Sequence, residues 1–146
     1  MPPHPSRSDV QQAAEYLVIS ELAAQLGVAL ERKTIDLGNG VAIQADGASA
    51  DNSVLVEVYA HVGPLKGAHP RKLTADAFKL VWAGSRLGST KLVLAVVDGD
   101  AAAYLRRPKA WFVTAALVDK KVDVIEVRLP EAVIANIVAA QKRQFR

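Results

Sequence analysis

Two hydrophobic periods alternate along the chain. Between Asp9 and Leu26, the residues Val10, Ala14, Leu17, Val18, Leu22 and Leu26 recur at three- and four-residue spacing. That spacing places them on one face of an α-helix. Ser8-x-x-Gln11 has the form of a capping box and Gly27 that of a stop, so a helix is predicted from Asp9 to Leu26. "VALERKTIDLGNGVAIQADG" then reads as two strands, with Asp36-Leu37-Gly38-Asn39-Gly40 as the hairpin turn. The second strand is predicted over Val41–Ala45, ending at Asp46-Gly47, and "ASADNS" follows as a small polar loop. "NSVLVEVYAHVG" has the period of a third strand. Glu57, Tyr59 and His61 share one of its faces, and Val56, Val58, Ala60 and Val62 the other. The polar face is either wet or a site.

"GPLKGAHP" interrupts the pattern. In "RKLTADAFKLVWAGSRLG" the helical period returns. Leu73, Ala77, Leu80, Val81 and Gly84 form one face, and Lys72, Asp76, Lys79 and Arg86 another. "TKLVLAVVD" is almost continuously apolar, the signature of a strand covered on both sides. "GDAAAYLRR" and "PKAWFVTAALVDK" read as short helices, the second opened by Pro108. "KVDVIEVRL" alternates as a strand, and "PEAVIANIVAAQKRQF" has Pro and Glu where a helix N-terminus favours them. The expected order is helix, three strands, helix, strand, helix, strand, helix. It implies an α/β (α+β) fold with a mixed β-sheet flanked by helices. Residues 1–8 are expected to form a loose arm, and residues 9–146 one domain without repeat or linker.

Composition narrows the chemistry. The 146 residues are 51% hydrophobic and 23% charged, as a folded chain requires. Cysteine is absent, which excludes disulfides and cysteine-based metal or nucleophile chemistry and fits a cytoplasmic location. No apolar run approaches the ~20 residues that span a bilayer, so no membrane partner is expected. A net charge of +3 permits nucleic-acid binding without demanding it. The basic runs "HPRK", "LRRPK" and "QKRQFR" also read as solvated surface. Trp82 and Trp111 sit on helical patterns and read as core or interface residues.

The chemistry-bearing residues gather around the third strand. If the second and third strands pair antiparallel, the carboxylates of Asp46 and Glu57 approach each other. Such a pair needs a cation or a shared proton. Mg²⁺ is the natural compensator, being held by few carboxylates, waters and phosphate oxygens. The plain alternative makes Asp46-Gly47 a turn and Glu57 the outer face of a half-exposed strand. "VVDGD" (Val96 to Asp100) ends a strand with two carboxylates and reads as a loop with Asp100 capping a helix. His4, in the arm, and His69, before a proline, make no ligand set with His61.

The element order, with "ADG" closing the second strand and "VLVEVYA" as the third, resembles the PD-(D/E)xK, or restriction-endonuclease-like, nuclease superfamily. The resemblance runs from Asp9 to Val97 and makes the rest, helix–strand–helix, an extension of an αβββαβ core. It implies Mg²⁺-dependent phosphodiester hydrolysis, with Asp46 and Glu57 as metal ligands and Val58 as a backbone carbonyl donor. Glu15 matches the helix glutamate, with Glu21 as the alternative. The family's lysine is replaced by Tyr59, whose phenol titrates near ~10 and supplies no positive charge at neutral pH. Either Lys72 or Lys79 reaches back from the following helix, or His61 serves as base or ligand, or the site binds without cutting. In the last case the chain is a non-catalytic interaction module, as a homodimer or with a protein partner. Lys72 and Lys79 read equally well as the wet face of their helix.

Overall fold

The computed structural model describes residues 7–107 and 111–144. Its elements follow the order expected from the sequence, with two short helices between the last two strands: α1 (Arg7–Leu26), β1 (Glu31–Asp36), β2 (Ala42–Ala48), β3 (Val54–Tyr59), α2 (His69–Leu87), β4 (Lys91–Val96), α3 (Gly99–Arg106), α4 (Phe112–Asp119), β5 (Val122–Glu126) and α5 (Glu131–Gln144). The strands form one mixed sheet in sequence order, β1-β2-β3-β4-β5. β1, β2 and β3 pair antiparallel, whereas β3, β4 and β5 pair parallel. The change follows from the connections, since short turns return the chain and helical crossovers carry it forward. Among the described residues no helix is long and apolar enough to cross a membrane.

Helices cover both faces of the sheet. Leu73, Leu80 and Ala83 of α2, Leu105 of α3 and Leu117 of α4 pack with Leu55, Tyr59, Leu94 and Val96 in one buried cluster. Val18 and Leu22 of α1 and Ile137 of α5 pack with Val56, Val58, Val93 and Ala95 in the other. β3 is therefore dry on both sides. The face carrying Glu57 and Tyr59, read as wet or as a site, lies under α2, and Glu57 is 2% exposed.

Local chemistry explains the turns. Gly38, Asn39 and Gly40 all have positive φ, and Asp36 Oδ1 accepts from the Gly38 N–H at 2.9 Å. The β2–β3 loop is tied by Asp51, whose carboxylate accepts from the Ser53 hydroxyl, the Ser53 N–H and the Ser49 hydroxyl. These bonds hold it at about 2, well below an ordinary aspartate.

Several boundaries differ from expectation. α1 starts at Arg7, so the last two residues of the expected arm are helical and Ser8 lies inside the helix instead of capping it. β3 stops at Tyr59, leaving His61 beyond the strand. Asp98, not Asp100, caps α3, accepting from the Asp100 N–H. The helix start placed at Pro108 lies outside the described residues, and α4 begins at Phe112. β2 does not end at Asp46-Gly47 but runs through to Ala48. Opposite Asp46-Gly47, Glu31 pairs with Ala48 while Lys33 pairs with Ala45. Three steps on β2 therefore face two on β1, a β-bulge. It explains how Ala45 and Ala48 join the same cluster, which strict alternation forbids.

Candidate functional site

β2 and β3 separate at the bulge. Their ladder consists of Gly47 opposite Val56 and Ala48 opposite Leu55. Beyond it, two carboxylates take the place of backbone acceptors. The Asp46 N–H donates to Glu57 Oε2 at 3.0 Å, and the Val58 N–H donates to Asp46 Oδ2 at 2.8 Å. A buried backbone N–H without a partner is costly, so these side chains close the accounting where the strands splay. Asp46 is thus an interior strand residue turned inward by a bulge, not a turn residue.

Lys79 enters the same opening from α2. Its ammonium donates to the Gln44 carbonyl oxygen at 2.9 Å and forms an ion pair with Glu57 Oε1. Lys79 is therefore not simply part of a wet helix face. Burial raises the Glu57 pKa and the Asp46 charge raises it further, while Lys79 and the Asp46 N–H oppose them. The carboxyl titrates at about 7.

α1 brings a third acid close. Gly47 lets the helix lie tightly on β2, since a Cβ there would fall 2.5 Å from Ile19 Cδ1. One turn before Ile19 stands Glu15, half-buried. Its pKa is raised first by burial and then by the charge of Asp46, against a hydrogen bond from Gln11 at 3.2 Å. Glu21, the alternative helix glutamate, is exposed.

Lys72 flanks the group without joining the Glu57 pair. It bonds Asp76 at 3.0 Å across one helical turn. Burial disfavours its charge, but Asp76, Asp46 and Glu57 outweigh this and hold its pKa above that of an ordinary lysine. Asp76 is pushed up by burial, with Lys72 and Lys79 pulling the other way. Sequence reading passed over Asp76 as a site residue, although its spacing from Lys72 is that of an i,i+4 pair.

Tyr59, at the position where the resemblance implies a lysine, lies in the core, 2% exposed. Its ring centroid is 5.7 Å from that of His61 and 6.2 Å from that of His69. The two imidazoles, which the sequence did not associate, lie 4.0 Å apart. The turn through "GPLKG" folds His69 back over the end of β3, and spacing along the chain carries no signal of that.

Among the described residues no three His, Cys, Asp or Glu side chains converge as a metal-ligand group. The Asp46–Glu57 pair meets the smaller demand of Mg²⁺, for which one or two carboxylates suffice when waters and substrate phosphate complete the shell. Comparison with family models, with curated proteins and with solved structures finds no match.

Proposed function

We propose that the chain is a PD-(D/E)xK-like domain with a restriction-endonuclease-like core, which hydrolyses phosphodiester bonds in nucleic acid with Mg²⁺. One observation carries this reading: Asp46 and Glu57 converge at a bulged opening in the sheet, with the Lys79 ammonium beside them. Asp46 and Glu57 would hold the ion. When bound, Mg²⁺ polarises a phosphodiester and lowers the pKa of water. The Val58 N–H fixes the orientation of Asp46, and the half-buried Glu15 adds negative charge from α1. Lys79 supplies from α2 the positive charge that Tyr59 lacks. The test is cleavage of plasmid, linear and single-stranded DNA with Mg²⁺ or Mn²⁺. Activity is expected to vanish in the Asp46→Ala/Glu57→Ala double variant, and cleavage that survives it overturns the assignment.

A second reading has its own observation. Glu57 already accepts from the Asp46 N–H and pairs with Lys79, so its charge is balanced without an ion. A non-catalytic interaction module with this fold, as a homodimer or a subunit of a larger assembly, would look the same. Mg²⁺ titration followed by NMR separates the two. Shifts centred on Asp46, Glu57 and Val58 favour the nuclease, and none at millimolar Mg²⁺ favours the module.

A further inference from the structure

The outer face of α2 carries side chains that neither the core nor the Asp46–Glu57 site uses. Leu73, Ala77, Leu80, Ala83 and Gly84 turn the inner face onto the sheet. Opposite them, Arg71, Ala75, Phe78, Trp82 and Arg86 follow one another at three- and four-residue steps, which lines them up along one stripe of the helix. The stripe is about 22 Å long from Arg71 to Arg86. Phe78 is 74% exposed and Trp82 38%, so Trp82 is not a core residue. A single exposed apolar side chain is ordinary, but two aromatic side chains one turn apart make a patch.

Positive charge flanks the patch. Arg71 is exposed, and among the described residues neither it nor Arg86 belongs to an ion pair. Arg86 donates to the Leu37 carbonyl oxygen at 2.7 Å, a neutral acceptor that leaves the charge uncompensated and further N–H donors in hand. Its guanidinium carbon lies 5.8 Å from the centroid of the Trp82 ring, so cation and indole form one surface. Asp76 is the single acid of α2, and its carboxylate is taken by Lys72 on the flank of the helix.

This charge selects the occupant. Two copies of the chain packed through the stripe bring guanidinium groups together with no carboxylate to offset them, whether the helices run parallel or antiparallel. An acidic protein segment answers the arginines but brings no planar faces for the rings. A nucleic-acid strand brings both, phosphate for guanidinium and base for ring. In a duplex the base faces are hidden in the stack, so rings on a helix surface reach only unpaired bases. Lys79, which follows Phe78, turns off the stripe to the Gln44 carbonyl oxygen and Glu57. A strand on the stripe therefore runs beside the Asp46–Glu57 opening.

We propose that the outer stripe of α2 binds single-stranded nucleic acid, with bases stacked on Phe78 and Trp82 and phosphates held by Arg71 and Arg86. The proposal rests on the nucleic-acid reading above and narrows its substrate to unpaired strands. DNA and RNA share this chemistry and are separated by experiment.

The measurement is fluorescence anisotropy of labelled oligonucleotides with the full chain in EDTA, so that metal and cleavage play no part. Oligothymidylate or oligouridylate is expected to bind at low salt and to be released as salt rises. A hairpin duplex is expected to bind at least about tenfold more weakly. The tighter of the two single strands assigns the sugar. Phe78→Leu and Trp82→Leu keep apolar bulk but remove the ring, and each is expected to weaken binding about tenfold, whereas Phe78→Tyr retains it. Arg71→Gln is expected to weaken binding severalfold and to flatten its salt dependence. The proposal is overturned if neither single strand binds, if the duplex binds as tightly, or if both leucine variants bind as the parent does. It is equally overturned if sedimentation shows a dimer that Phe78→Leu dissociates, or if the chain binds phosphatidylserine vesicles and no strand. Failure of the cleavage reading is a separate result. Strand binding in EDTA without cleavage in Mg²⁺ removes the nuclease and leaves the stripe, and single-strand cleavage undiminished in both leucine variants removes the stripe and leaves the nuclease.

Discussion

β3 has two edges, and they are built on different physics. Toward β4 it is paired at every residue from Val54 to Tyr59, and its neighbours are Lys91 at the exposed start and then Leu92, Val93, Leu94, Ala95 and Val96. Toward β2 the ladder covers Val56 and Leu55, and then Glu57, Asp46 and Lys79 fill the gap. The first edge is held by dispersion and backbone hydrogen bonds, which are insensitive to pH and indifferent to ligands. The second is held by charge in a poorly solvated place, where each group alters the protonation of the next. A single strand thus supplies rigidity on one side and chemistry on the other.

Substitutions on the two sides test that contrast. The largest effect belongs to the dry edge. Leu94→Ala removes a fully buried side chain and is expected to lower stability by about 2–5 kcal/mol in urea unfolding, equally at acid and neutral pH. Next is Lys79→Met, which strips a buried carboxylate of its partner and frees the Gln44 carbonyl. A loss of about 1–3 kcal/mol is expected above the Glu57 pKa and less below it, where the carboxyl is neutral. A loss independent of pH would show that Lys79 acts only by packing.

The third effect is the pH profile itself. Glu57 is raised from 4.5 to about 7 on folding, so the native state binds its proton more tightly than the unfolded chain. Its contribution to stability is full below pH 4.5 and is lost as pH rises through about 7. Glu15 and Asp76, also raised, act in the same direction. Chemical denaturation across this window is expected to show falling stability, and Glu57→Gln to flatten part of the slope while still accepting from the Asp46 N–H. Gly47→Ala follows at about 1 kcal/mol, because Ile19 must withdraw from β2. The Glu15 carboxyl should then move toward its ordinary pKa as α1 lifts, which carboxyl NMR reads. The smallest effect is Lys91→Ala, which breaks a 2.8 Å pair with Asp123 at the exposed start of β4 and is expected to cost less than about 0.5 kcal/mol. An ion pair matters here through its burial, not its length.

Much of the architecture was legible because it is local. The period of Val10, Ala14, Val18 and Leu22 made α1, and all four are buried. The unbroken apolar run of β4 announced a strand covered twice, and it is. Gly38-Asn39-Gly40 announced a turn of positive φ. β3 was harder. Its alternation marks which residues share a face, but alternation is a property of one strand, and whether the polar face meets water depends on what lies over it. α2 does lie over it, through Leu73, Ala77 and Leu80, and that packing turns Glu57 from a surface residue into a buried one with a raised pKa.

The same limit applies to each charged residue. The sequence by itself determined the order of the elements, the hairpin, and the presence of an aspartate near the end of one strand and a glutamate in the next. It also placed two lysines on one helix without choosing between them. Only the tertiary structure decided that Lys79 meets Glu57 while Lys72 turns to Asp76, that a bulge at Asp46-Gly47 turns Asp46 inward, and that His61 and His69 stand ring to ring. The reason is physical. Propensity and period act over a few residues, whereas burial and electrostatics act through space, and the distances that set them exist only once the chain has folded back on itself.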